Sequence, residues 1–165
     1  WFGEHTAQLV RDLHGALGRI GEGQGTCHIY VEQSRAQEVG DMFSSLAHCL
    51  VEPSGDNSIS SLIRSKTALI YGGYNSILDV MALGKPALVV LRATRDREQQ
   101  EHLELLQRAV GEQMQVVDEE AITSRALEDG LRLLLASESD RSAEIDCNGA
   151  ENTARHLHRL VQERD

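Results

Sequence analysis

Residues 67–91 constrain the fold more than any other part of the chain. They open with Thr67-Ala-Leu-Ile-Tyr71, five mostly apolar residues with β preference, the length of a buried strand. Gly72-Gly73 ends that run. Ile77, Val80, Met81 and Leu83 then recur at helical spacing, and Gly84 stands where a C-terminal helix stop is expected. Pro86 bars further helix, and Ala-Leu-Val-Val-Leu over residues 87–91 has the composition of the next buried strand. Strand, glycine turn, helix, strand is the parallel α/β unit.

The turn has a structural and a chemical reading. Gly72-Gly73 suits a tight strand-to-helix turn, since glycine accepts left-handed or crowded backbone. The same glycines let a ligand approach the start of the helix, where unpaired N–H groups carry partial positive charge. An anion gains ~0.3–1 kcal/mol there, and about 2 when partly buried. Asn75 and Ser76 add side-chain hydrogen-bonding capacity at the same place.

The rest of the chain supplies more units of this kind. Ala7, Leu9, Val10, Leu13, Leu17 and Ile20 mark a helix that starts almost at once, with no strand ahead of it. That order predicts a fragment cut in the loop after the first strand of its domain. Residues 27–31 and 48–51 read as strands, and residues 37–46 as a weaker helix carrying Val39, Met42, Phe43 and Leu46. A loop over residues 53–57 leads into a helix over residues 58–64, with Asp56 or Asn57 as its N-cap. Residues 95–110 read as a charged amphipathic helix and residues 114–117 as a short strand. Helices over residues 121–135 and 148–161 follow, the last with Ala154, Leu157, Leu160 and Val161 as its apolar side. No repeat, low-complexity tract or second-domain boundary interrupts residues 1–165. The alternation predicts an α/β fold with a doubly wound parallel sheet. Right-handed crossovers then bring the loops at residues 53–57, 72–76 and 92–100 to the carboxyl edge, where such sheets bind ligands.

Composition narrows the function. A net charge of −10 without a basic run argues against nucleic acid, whose binding depends on neutralising phosphates. No apolar stretch approaches the ~20 residues of a membrane helix. Cys27, Cys49 and Cys147 are odd in number and lack metal-ligand spacing, so they read as reduced thiols of a cytoplasmic protein. No His-x-x-x-His pair lies near an acid, and His5, His14, His156 and His158 read as surface residues; no metal is implied. Arg92, Arg95 and Arg97 fall within six residues of an otherwise acidic chain. Arginine forks suit phosphate or carboxylate, although Arg95 and Arg97 also fit a solvated helix face.

Gly-Gly-Tyr-Asn-Ser-Ile-Leu-Asp-Val-Met-Ala-Leu-Gly-Lys-Pro-Ala-Leu-Val-Val, followed by Arg97-Glu98-Gln99-Gln100, resembles the donor-nucleotide half of GT-B glycosyltransferases of the family-28 type. The resemblance runs from about Val51 to about Val117, with a weaker echo in the last helix. It implies a Rossmann-like half of a GT-B fold, here lacking its first strand, in a larger two-domain chain. The implied activity is transfer of a hexosyl group from a UDP-hexose or UDP-N-acetylhexosamine to an acceptor held by an N-terminal domain. That domain would supply the catalytic base and a membrane-associated surface, so no catalytic residue and no cofactor is assigned to this chain.

By the same resemblance Gly72, Gly73, Asn75 and Ser76 face the diphosphate, and Ser54-Gly55 grips the uracil through backbone groups. Asp79 stands where the family carries a ribose-binding glutamate; its alternative is an aspartate favourably placed in a helix. Glu98 and Gln99 match a Gln-Gln pair that contacts the donor sugar, and Arg92 belongs to the same loop. Tyr74 either stacks on a ligand or covers the helix start. A nucleotide-sugar hydrolase or epimerase, or a non-catalytic subunit of a split transferase, would use the same half.

Overall fold

The computed structural model describes residues 4–92, 114–137 and 148–162. Six helices and five strands alternate among them: α1 Glu4–Ile20, β1 Cys27–Val31, α2 Ala36–Phe43, β2 Cys49–Pro53, α3 Asp56–Arg64, β3 Ala68–Tyr71, α4 Tyr74–Ala82, β4 Ala87–Leu91, β5 Met114–Asp118, α5 Ser124–Ala136 and α6 Gly149–Gln162. The charged helix expected over residues 95–110 lies outside the described residues, as does Cys147.

All strand pairings are parallel, as the alternation predicts, but the ladder falls into two parts. β1 pairs with β2, Cys27 opposite Cys49, and β4 lies between β3 and β5. β4 shows why: buried on both faces, it needs an apolar side chain at every position, and Ala87 to Val90 are all buried. Leu88 and Val90 join a cluster with Leu9, Leu17, Val39, Phe43, Leu127 and Leu131 from the helices on one face. Ala87 and Val89 join Ile77, Val80 and Met81 of α4 on the other.

Helices α1, α2 and α5 share the first face. α1 packs along α5 and touches α2, α2 covers β2, and α5 covers β4. The α1–α5 contact is close because Gly15 has no side chain; a Cβ there would sit 2.7 Å from Ser124 Oγ. Asp12 of α1 accepts hydrogen bonds from Ser124 N (3.0 Å) and Oγ (2.9 Å) at the start of α5, where Thr123 is the N-cap. Gly130 of α5 also lies close to β4, with Leu88 Cδ2 3.2 Å from the place a Cβ would take.

Local chemistry moves several boundaries. α3 begins at Asp56 with Gly55 as N-cap, so neither Asp56 nor Asn57 caps it, and Asp56 instead places its charge in the first turn. α2 ends at Phe43 rather than Leu46, and a three-residue 3-10 turn at Gln33–Arg35 leads into it. His14 is half-buried, its ring edge-on to Phe43 at 5.3 Å, instead of lying free at the surface. Cys27 and Cys49 are free thiols against the core; burial, with Cys49 beside it, pushes Cys27 up to about 12. A thiol so held is protonated and a poor nucleophile at neutral pH. Among the described residues no helix is long and apolar enough to cross a membrane.

Candidate functional site

Where β3 gives way to α4, the chain turns without strain. Gly72 N–H donates to Val90 O (2.8 Å), extending the β3–β4 ladder by one bond, and Gly73 N–H donates to Tyr71 O (2.8 Å). The left-handed backbone allowed for by Gly72-Gly73 is absent; positive φ occurs only at Gly21, Gly25 and Gly84 among the described glycines. Gly72 is needed for space, since a Cβ would lie 3.1 Å from Leu91 Cδ2. Gly73 has φ −72° and ψ 138°, ordinary extended values, and nothing lies within 4 Å of its missing Cβ. Its bareness leaves open room at the helix start. Gly73 is the N-cap of α4 and offers no side-chain cap, so the first-turn amides and the positive end of the helix lie beside that room.

The room is a cavity of about 290 Å³ lined by Tyr71, Gly72, Gly73, Ser76 and Arg92. Four of these five are residues the sequence singles out. Arg92 directly follows β4, and its guanidinium carbon lies 4.6 Å over the Tyr71 ring, a cation–π arrangement. The Tyr71 hydroxyl is within hydrogen-bond distance of Thr6 Oγ1 (3.2 Å) and Glu119 Oε1 (3.0 Å). Burial pushes the Tyr71 phenol up; the Thr6 bond pulls it down, and the Glu119 carboxylate raises it again. Tyr71 therefore stays neutral, and the arginine is the charge that the cavity wall contributes.

Tyr74, Asn75 and Asp79 stand exposed on α4, outside the cavity lining. Asp79 is three residues beyond Ser76 and four beyond Asn75, hence on the helix face that Ser76 turns to the cavity. Ser54 and Gly55 follow β2 at the carboxyl end of the other sheet and do not line the cavity. Ser54 N–H donates to Val31 O, and Gly55 O accepts from Ser58. Glu98 and Gln99, with Arg95 and Arg97, lie outside the described residues. Tyr71 is the site residue the sequence reading misses. Its signal was an aromatic ring with a polar tip at the end of a strand, directly before the two glycines.

The arrangement suits an anion: a helix N-terminus, a hydroxyl and an arginine share one cavity, and bare backbone allows close approach. Among the described residues no group of His, Cys, Asp or Glu is placed to hold a metal ion. The family model described as Glycosyltransferase family 28 C-terminal domain matches residues 56–160, nearly two thirds of the chain. A search of curated proteins gives no match.

Proposed function

Because the chain belongs to the glycosyltransferase family 28 C-terminal domain, the part of these enzymes that binds the nucleotide-sugar donor, we propose that its cavity holds the diphosphate of a UDP-sugar. The observation that carries this reading is the cavity at the start of α4 with Arg92 on its wall. The first-turn amides, Ser76 Oγ and the Arg92 fork would share the diphosphate oxygens. Asp79, one turn further along the same helix face, would accept hydrogen bonds from the ribose hydroxyls. Ser54-Gly55 would meet the base, and Glu98 with Gln99 the sugar.

In transfer, the bond between the sugar carbon and the diphosphate oxygen breaks and the oxygen keeps the electron pair. Charge grows on the diphosphate as it leaves, so donors already aimed at it gain most in the transition state. The acceptor hydroxyl, and the base that takes its proton, would come from an N-terminal domain. This chain by itself then binds the donor nucleotide without transferring the sugar.

Thermal denaturation with UDP, GDP and TDP in parallel tests the reading. UDP at 100 times its Kd should stabilise the fold by ~2.7 kcal/mol, a rise of roughly 5–10 °C in Tm. No shift with any of the three, in a folded sample, would sink the nucleotide reading. A shift confined to GDP or TDP would overturn only the uracil assignment.

A further inference from the structure

The hydroxyl of Tyr71 joins three elements, of which only β3 lines the cavity. Tyr71 ends β3. Thr6 lies in the first turn of α1, and Glu119 opens the 3-10 turn Glu119–Ala121 that follows β5. The phenol has a single proton to give. An ionised carboxylate only accepts, so that proton goes to Glu119 Oε1 (3.0 Å) and leaves the phenol oxygen to accept from the Thr6 hydroxyl (3.2 Å). The opposite pulls on the phenol agree: the Thr6 bond favours its ionised form and the Glu119 bond its neutral one.

Both partners of the phenol are themselves held. The turn that carries Glu119 packs against α1, and Ile122, just beyond it, is buried in the same cluster as Leu9 and Leu17. Ser124 N–H and Oγ then tie that segment to Asp12 of α1, the helix that carries Thr6. Glu119 and Thr6 therefore keep their spacing as long as α1 and α5 stay docked. The Tyr71 ring is held at its root by the β3–β4 ladder and at its tip by these two groups. Its plane is fixed. That plane matters to Arg92, whose guanidinium lies 4.6 Å over it, because a cation is attracted to the face of an aromatic ring and not to its edge. An arginine directly after a strand has a long, free stem, and gripping an anion would cost that freedom unless the stem is already placed. Glu119 has an opposing effect as well. It is a negative charge one hydroxyl away from a cavity suited to an anion, and by charge alone it would weaken binding. Placement and charge thus predict effects of opposite sign.

We propose that Glu119 is a positioning residue of the anion cavity: through the Tyr71 hydroxyl it fixes the ring on which Arg92 lies, and it touches no ligand itself. The role rests on the reading that the cavity holds a diphosphate. It extends the site to α1 and to the turn after β5, neither of which lines the cavity. Placement outweighs charge, so the carboxylate raises the affinity of the cavity for an anion.

Calorimetric titration with inorganic pyrophosphate tests it on Glu119→Ala, Glu119→Gln and Tyr71→Phe, with UDP as a parallel probe. Glu119→Ala should bind pyrophosphate roughly 2- to 10-fold more weakly, the effect of one lost hydrogen bond, and Tyr71→Phe should match it. Glutamine still accepts from the phenol and carries no charge, so Glu119→Gln should bind at least as tightly as the native protein. In an Arg92→Ala background, Glu119→Ala should change affinity less than about twofold. The NMR resonances of the Arg92 side chain in the ligand-free protein add a readout that stability alone does not move. Its δ protons should be shifted upfield by the Tyr71 ring in the native protein and in Glu119→Gln, and less so in Glu119→Ala and Tyr71→Phe. Tighter binding by both Glu119 variants would overturn the proposal, since charge alone would then account for the residue. So would native affinity in folded Glu119→Ala, or an undiminished loss in the Arg92→Ala background. Binding of pyrophosphate without UDP would sink the nucleotide reading and leave the role of Glu119 standing. If neither ligand binds the native protein, the diphosphate reading fails and the Arg92 resonances decide alone: equal shifts in all four proteins would overturn the link from Glu119 to Arg92.

Discussion

Arg92 and Tyr71 hold each other in place at the cavity wall. Tyr71 is tied at its hydroxyl to Thr6 and Glu119, and its ring is the platform on which the Arg92 guanidinium lies. An arginine fixed in this way loses little freedom when it grips an anion. Hydrogen bonds to charged groups contribute ~1.5–3 kcal/mol, so Arg92→Ala should weaken UDP binding by roughly 10- to 150-fold. Arg92→Lys keeps the charge but loses the flat stack and the fork, and should fall between. Asp79→Ala should cost a similar factor if its carboxylate takes both ribose hydroxyls, and Asp79→Asn should keep part of the affinity. Calorimetric titration separates these effects, with free uracil as the control that contains neither ribose nor phosphate. Unchanged UDP affinity in folded Asp79→Ala would leave that residue as a well-placed helix aspartate. At this scale Gly72-Gly73 was legible as a place of close approach, because glycine removes side-chain bulk whatever the backbone does. The ring of Tyr71 at the strand end was visible in the sequence, but its fixed place in the cavity wall was not, because its hydroxyl partners lie 65 and 48 residues away in the chain.

The element that carries the cavity is α4, and its far end is closed by Gly84. Gly84 has φ 60°; its N–H donates to Met81 O (2.9 Å), while Lys85 N–H donates to Val80 O (2.8 Å). This pair of bonds is the Schellman closure, which satisfies carbonyls that the helix leaves open. Gly84→Ala forces a side chain into left-handed backbone and should cost about 1–2 kcal/mol, or roughly 2–8 °C in Tm. UDP affinity should not change, since the cavity lies at the other end of the helix. A loss of affinity equal to that of Arg92→Ala would show that the helix is displaced, not only destabilised. Gly84 was readable from sequence because a stop signal is local. The apolar side of α6 was readable as periodicity alone: Leu157, Leu160 and Val161 are all exposed, since spacing fixes which residues share a face and not what covers it.

Across the whole molecule, the alternation of short strands and helices was enough to read a parallel α/β fold, because crossover geometry leaves few other ways to bury such strands. The bond that ties its helical layer together was hidden. Glu128 sits in a leucine-rich helix where an acid reads as surface, yet it is 6% exposed. Its Oε2 accepts from Arg19 Nε of α1 (2.6 Å) and its Oε1 from Arg132 Nε of α5 (3.0 Å), while Arg132 Nη2 reaches Arg19 O (2.8 Å). The Arg19 bond, then the Arg132 bond, hold the Glu128 carboxyl below its ordinary range, against the opposing effect of burial. A carboxylate depressed in the folded state binds its proton more readily when unfolded. Its stabilising contribution is therefore complete above the ordinary glutamate range of about 4.3 and is lost as pH falls through the lower, folded-state value. Glu128→Gln removes this linkage and leaves the other carboxylates in place. At neutral pH the variant should melt below the native protein, and the gap should narrow as pH falls through the acid range. Thermal denaturation of both proteins at matched pH values measures the gap directly, with the shared acid response cancelling in the difference. A gap that stays constant with pH would mean that Glu128 acts through shape and hydrogen-bond geometry, with its charge contributing nothing to the contact between α1 and α5.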